Sequence, residues 1–191
     1  MANVSIIGTG NMAQAISRVL TSGGATVELI GHGEATTPTG DVVVLAVPYP
    51  AVADVIATYG TALAGKIVVD ITNPLDFATF DALVVPADGS ATAEIAAALP
   101  QSRVVKAFNT TFAATLATGT VGGAQPTTVL VAGDDAVAKA TLVGLVEAGG
   151  LRAIDAGGLR RARELEAVGF LQLTLAVGEK VSWAGGFAVV A

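Results

Sequence analysis

Gly8, Gly10 and Ala13, within "SIIGTGNMAQAI" (residues 5–16), are spaced as G-x-G-x-x-A between a short apolar run and a helical segment. In that spacing the first glycine permits a tight turn and the second lets a pyrophosphate approach the backbone. The alanine lets the helix lie close against its strand. Asn11 and Met12 would then open the helix, with their N–H groups free for phosphate. The chemistry implied is dinucleotide binding. Because 23 of the 191 residues are glycine, the motif gains weight only from what surrounds it.

Further chemistry lies at the ends of later apolar runs. "LAVPYP" (45–50), "DITNPL" (70–75) and "KAFNTT" (106–111) each finish in a proline or small polar turn. Open α/β sheets bind ligands outside the carboxyl ends of their strands, so Asn73 and Asn109 are candidates to orient a nicotinamide carboxamide. Lys106 is the candidate base near that end, against the alternative of a lysine solvated or paired at a strand end. The sole histidine, His32, lies at the other end, near the adenine ribose.

An NAD site usually carries Asp or Glu about twenty residues past the motif, to hold the ribose hydroxyls. Here that region reads Ile30-Gly31-His32-Gly33, with Glu28 inside the preceding run and Glu34 beyond two glycines. A missing carboxylate favours NADP over NAD. His32 and Thr9 are then the candidate donors to a 2′-phosphate, without the arginine that would clamp it bidentately.

These residues need a scaffold, and the pattern supplies one. Seven β-branched runs (4–7, 26–30, 41–47, 66–71, 103–108, 127–133 and 151–157) alternate with helix candidates near 11–21, 50–59, 91–99, 111–117, 135–148 and 159–180. Several runs are apolar at consecutive positions, as strands covered on both faces are. Pro50 suits a first helical turn, and Asp134 or Asp135 can cap the helix that follows. The fold expected is α/β, a Rossmann-type doubly wound and mostly parallel sheet. Only "GHGEATTPTG" separates the second run from the third, so the second helix and third strand of that fold are expected to be shortened or missing. Residues 1–158 read as the dinucleotide-binding domain. Residues 159–191 read as a C-terminal helix and apolar tail packing on it or on a dimer partner.

Composition narrows the classes. A formal charge of −6 and the lack of a basic cluster argue against nucleic acid. "LRRAR" (159–163) is followed by Glu164 and Glu166, which suggests pairing on a helix surface. Absence of cysteine removes disulfides, thiolate nucleophiles and zinc–cysteine sites, and one histidine excludes a histidine-rich metal site. No basic leader precedes an apolar run, and no stretch is apolar for long enough to span a bilayer. The expectation is a soluble, cytoplasmic protein with no membrane partner.

Taken in order, "GTGNMAQAI", "LAVPYP", "DITNPL", "VVKAFNTT", "VLVAGDD" and "DAGGLRRARELE" resemble the deazaflavin (coenzyme F420)-dependent NADP oxidoreductases over nearly the whole chain. The reductase domains of membrane-bound metalloreductases have a similar arrangement. The resemblance implies NADP(H) lying across the carboxyl edge of the sheet and hydride passing between nicotinamide and a stacked deazaflavin or flavin. By position it implies Gly8, Thr9, Gly10, Asn11 and Met12 around the pyrophosphate and 2′-phosphate. Ala46, Val47 and Pro48 would line the cofactor trough, and Asn73, Ala107 and Asn109 would approach the nicotinamide. That family follows its second strand with a Ser-Arg pair, where this chain has His32-Gly33.

Hydride transfer between stacked rings asks the protein for orientation and water exclusion, with no proton relay. Two other readings fit less of the sequence. One is a dehydrogenase or imine reductase with a small substrate, using Lys106. The other is a dinucleotide-binding sensor without catalysis.

Overall fold

The computed structural model describes residues 2–31 and 36–190. From the N-terminus come β1 (Asn3–Ile7), α1 (Asn11–Ser22), β2 (Thr26–Ile30), β3 (Val42–Leu45), α2 (Val52–Leu63) and β4 (Ile67–Asp70). They are followed by α3 (Ala91–Ala98), β5 (Arg103–Lys106), α4 (Ala113–Thr118) and the short strands β6 (Thr120–Val121) and β7 (Gln125–Pro126). β8 (Thr128–Gly133), α5 (Ala136–Ala148), β9 (Arg152–Gly157) and α6 (Ala162–Val177) complete the order. Seven strands form one sheet in the order β2-β1-β3-β4-β5-β8-β9, and β6 and β7 form a separate hairpin. Every pairing in the sheet is parallel except β5 with β8.

The consecutive apolar runs follow from two cores, one on each face. Val4, Ile6, Val42, Val44 and Val69 pack with Ala13, Ile16 and Leu20 of α1 and Leu142 and Val146 of α5. Ile7, Val43, Leu45 and Val68 point the other way, onto Val55, Tyr59 and Leu63 of α2 and Ile95 of α3. Each fully buried aliphatic side chain contributes about 1.5–3 kcal/mol relative to exposure. Neither face can therefore take a polar run.

Pro50 sits in a 3-10 turn, Tyr49–Ala51, that leads into α2. Of the two candidate caps, Asp135 takes the role, accepting from Ala138 N at 2.7 Å. Asp134 instead accepts from Leu159 N at 2.8 Å, tying the end of β8 to the start of the C-terminal segment.

Among the described residues between β2 and β3 there is no helix or strand. A polar seam lies where the chain returns to β3. Ser5 Oγ donates to Glu28, and Thr39 donates to the same carboxylate from N and Oγ1, at 2.8 Å each. Gly40 N reaches Ser5 Oγ at 2.8 Å, and Lys66 Nζ closes on Gly40 O at 2.6 Å. Gly40 fits because a Cβ there would stand 2.6 Å from Ser5 N. Burial alone would raise the pKa of Glu28, but the hydrogen bonds from Ser5, Thr39 and Gly40 outweigh it and hold the carboxyl below its usual value.

Candidate active site at the carboxyl edge

β1 lies between β2 and β3, so the chain leaves β1 in one direction and returns on its other side. The carboxyl ends of β1 and β3 therefore flank the switch point, where open sheets of this kind leave a crevice for a ligand. Gly8 ends β1 there with φ +123°, and a Cβ on it would meet Ala46 O at 2.2 Å. Only glycine satisfies both conditions. Gly10 is different: its φ is −73°, and nothing lies within 4 Å of where its Cβ would be. The fold does not demand glycine at that position, whereas a ligand lying on the backbone would.

α1 starts at Asn11 with no acidic residue in its first turn and, among the described residues, no side chain capping it, so its leading N–H groups are open to a ligand. Thr9, Gly10 and Asn11 are exposed, while Ala13 is fully buried against the strands. This arrangement fits a pyrophosphate. Across the crevice, Ala46 is half-buried and Pro48 exposed, while Val47 packs into the core beneath α2. His32 lies outside the described residues. Glu28 is committed to Ser5 and Thr39, away from any ribose.

The other end of the crevice opens into a cleft of about 380 Å³. Asn11 and Met12 line it beside Asn73 and Asn109, so it joins the phosphate turn to the ends of β4 and β5. Phe112, Leu173 and Trp183 supply an apolar wall. None of the described residues that line it ionises near neutral pH.

A tight turn shapes the floor. Phe108 is fully buried with φ +61°, a conformation that costs a bulky residue energy, and Asn109 N donates to Ala107 O at 2.8 Å across it. The turn directs Asn109 onto Asn73. Asn109 Nδ2 donates to Asn73 Oδ1 at 3.0 Å and to Leu165 O at 2.8 Å, and Asn73 Nδ2 donates to Asn109 O at 2.9 Å. Gly169 of α6 lies directly on this pair, since a Cβ there would meet Asn73 Oδ1 at 2.4 Å. Asn109 thus fastens α6 to the strand ends, and the half-buried Asn73 is the member nearer the cleft mouth. Ala107 is fully buried, leaving only its backbone near that edge.

Lys106 is sealed beneath this layer. Its side chain is 0% exposed and its Nζ lies 2.9 Å from both Asp70 Oδ2 and Glu166 Oε1. It also donates to Thr72 O at 2.6 Å. One ammonium between two carboxylates leaves a buried negative charge, which the start of α3 offsets. Ala91 N and Thr92 N donate to Glu166 at 3.0 and 3.3 Å, and Thr92 Oγ1 bridges to Asp70 at 2.7 Å. Lys106 is the paired lysine of the sequence alternatives, and buried where a solvated one would be exposed. Nearby Tyr49 donates to Glu94. Burial, then that carboxylate, push its phenol well above its usual value, so it stays neutral.

The sequence pattern brought Asn11, Met12, Asn73 and Asn109 into one cleft. It missed Glu166, Gln172, Leu173 and Trp183. Arg161 does pair with Glu164 at 2.8 Å on the surface, as expected, but Glu166 turns inward. The signal was available: Ala162, Leu165, Gly169 and Ala176 mark the buried stripe of α6, and Glu166 and Gln172 fall on it.

Known proteins share this architecture. The family described as NADP oxidoreductase, coenzyme F420-dependent, matches residues 26–74. The F420-dependent NADP reductase of Methanocaldococcus jannaschii is 33% identical over 178 residues, covering 91% of this chain and 79% of that protein. The chain belongs to the F420-dependent NADP reductase family. The crystal structure of a candidate F420-dependent NADP-reductase from Arthrobacter sp. FB24 superposes with TM-score 0.83 at 25% identity, covering 100% of both chains. Rat metalloreductase STEAP3 is 38% identical over 107 residues, which is 56% of this chain and 20% of that protein. Membership makes the chain an oxidoreductase of Rossmann type. Among the described residues no helix is long and apolar enough to cross a membrane.

Proposed function

We propose that this protein binds NADP(H) across the β1–β3 switch point and exchanges hydride with a deazaflavin of the F420 type in the adjoining cleft. The observation that carries this reading is the cleft itself: it continues from the turn at Gly8 and Gly10, has an aromatic wall, and among the described residues has no ionisable lining side chain. Family membership supports the choice of NADP and deazaflavin. The bound nicotinamide supplies the hydride.

The chain's own part is binding and orientation. Gly8 and Gly10 shape the turn, and the N–H groups of Asn11 and Met12 hold the pyrophosphate. Ala46, Val47 and Pro48 form the trough, with Val47 and Ala107 contributing backbone alone. Thr9 and His32 are the donors to the 2′-phosphate. Asn73, held in place by Asn109, orients the nicotinamide carboxamide. Met12, Phe112, Leu173 and Trp183 exclude water from the ring contact, and such positioning is worth several orders of magnitude in rate. A small-substrate dehydrogenase would need a base in the cleft, and Lys106 is locked in its ion triad. Half-exposed Val168 and Leu171 on α6 support an assembly of two copies through that helix face.

The test is titration with NADPH and NADH by nicotinamide fluorescence, then mixing with a soluble 5-deazaflavin. NADPH is expected to bind at least tenfold tighter and to bleach the deazaflavin absorbance. Equal binding of the two nucleotides would overturn the 2′-phosphate assignment. Tight NADPH binding with no reduction of any deazaflavin or flavin would replace the enzyme reading with that of a sensor.

A further inference from the structure

Past α6 the chain turns back on itself and runs over the cleft. Ser182 O accepts from Gly185 N at 2.9 Å, forming a turn that carries Trp183, and Gly122 N of the β6–β7 hairpin grips Ala184 O at 2.8 Å. Gln172, only 2% exposed, is the second anchor. Its Oε1 accepts from Phe187 N at 2.8 Å, and its Nε2 donates to Thr110 O at 3.2 Å. Gly186 passes this amide with φ +112°, and a Cβ there would stand 2.6 Å from Gln172 Oε1. A buried glutamine bound at both ends, with a glycine fitted against it, fixes a segment that has no helix or strand of its own.

The segment holds one large ring at the cleft. Trp183 is the chain's single tryptophan. Its ring centroid lies 4.9 Å from that of Phe112, at 59° between planes. Phe112 is buried, but Trp183 stays 52% exposed although it lines the cleft. A large aromatic held in place yet left uncovered beside a cavity is a contact surface awaiting a partner.

We propose that residues 178–190 form a strap that selects the acceptor. Trp183 packs its indole against a fused planar ring, and Gln172 is the positioning residue that holds the strap. This rests on the hydride-transfer reading above and names the residues that make that site specific. Of the other rings in the lining, Phe108 and Phe112 are buried, and Met12, Ile71 and Leu173 are aliphatic, so Trp183 is the aromatic left exposed for stacking. Trp183 therefore separates a tricyclic acceptor from a single-ring quinone.

The experiment uses the full chain with saturating NADPH, comparing wild type with W183F, W183A and Q172A on a soluble 5-deazaflavin and on a single-ring benzoquinone. W183A is expected to raise the deazaflavin KM about three- to tenfold, the range set by loss of an aromatic pair. NADPH affinity should stay within about twofold, the deazaflavin KM should rise more than the quinone KM, and W183F should recover most of the deazaflavin KM. Q172A should raise the same KM without touching the ring, which a merely structural loss would not confine to one substrate. In the unmodified protein, the single tryptophan's emission should be quenched saturably by deazaflavin without NADPH, with a midpoint near the KM. An unchanged deazaflavin KM in W183A overturns the strap's role and leaves the hydride-transfer reading standing. Wild type that reduces no fused-ring acceptor at all overturns both.

Discussion

Replacing Lys106 with methionine separates a structural lysine from a catalytic one. The side chain keeps its unbranched apolar stem and loses the ammonium with its hydrogen bonds to Asp70, Glu166 and Thr72 O. Asp70 and Glu166 would then remain buried, at 0% and 1% exposure, without a cation. Removing one partner of a buried ion pair costs about 3–5 kcal/mol. The lower end applies here, because Ala91 N, Thr92 N and Thr92 Oγ1 continue to hydrogen-bond the carboxylates. In a chain of this size each kcal/mol moves the melting temperature by about 2–4 °C. K106M should therefore melt roughly 6–12 °C below wild type, taking about 3 kcal/mol from the same principles. K106M/E166Q should regain part of the loss, since one fewer carboxylate stays buried and unpaired.

Circular dichroism melts give the first readout, and steady-state turnover well below both melting temperatures gives the second. A residue that never reaches the cleft leaves kcat within a few-fold of wild type. General acid–base catalysis contributes about 10²–10⁴ in rate. A loss of that size in K106M, with NADPH affinity intact, would show that the lysine reaches the substrate and would restore the dehydrogenase reading. A drop in melting temperature of less than about 2 °C would refute the buried-triad account.

The two motif glycines should fail in opposite ways. G8A should lower the melting temperature, by strain at φ +123° and the clash with Ala46 O, at a cost of about 1–3 kcal/mol. G10V meets open space, so its stability should match wild type while the NADPH dissociation constant rises at least about tenfold. For Glu28 the folded pKa is lowered, so its contribution is present above the unfolded value of 4.5 and fades as pH falls through the folded one. E28Q should be less stable by roughly 1 kcal/mol at pH 7, with the gap closing below that value in urea melts at stepped pH. G169A would push α6 off the Asn73–Asn109 pair, costing about 1–3 kcal/mol by overpacking, and should raise the deazaflavin KM along with it.

The strands and helices were legible because the signals that mark them are local. Runs such as "DVVVLAV" are apolar at consecutive positions only where both faces are covered, and the two cores show that they are. The trimmed crossover was legible from loop length alone. The polar seam beside it was not, because Ser5, Glu28, Thr39 and Lys66 meet only when the chain has folded. The reversed direction of β8 was hidden for a related reason: the "TVGGAQP" hairpin ahead of it carries two-residue strands with no periodicity to read.

The site divides along the same line. The half proposed for the phosphates is one continuous stretch of sequence, Gly8 to the start of α1, although Gly8 is also held against Ala46 O. The half proposed for the acceptor is assembled across the chain, from Met12, Asn73, Phe112, Leu173 and Trp183. What brings those together is a set of buried polar side chains, two of them on a face of α6 that looks solvent-facing in sequence. Glu166 ties α6 to α3 and Lys106, Asn109 ties it to β4, and Gln172 ties it to the strap. Glu166 and Gln172 lie on the buried stripe of α6 and Asn109 reaches Leu165 O from the turn after β5, so the helix is located by buried polar contacts of fixed direction as well as by apolar packing. A hydride donor and acceptor must meet within a few tenths of an ångström of contact distance, and directional anchors of that kind hold one wall of the cleft at that tolerance. The residues that look least catalytic in the chain are thus the ones on which the geometry of transfer depends.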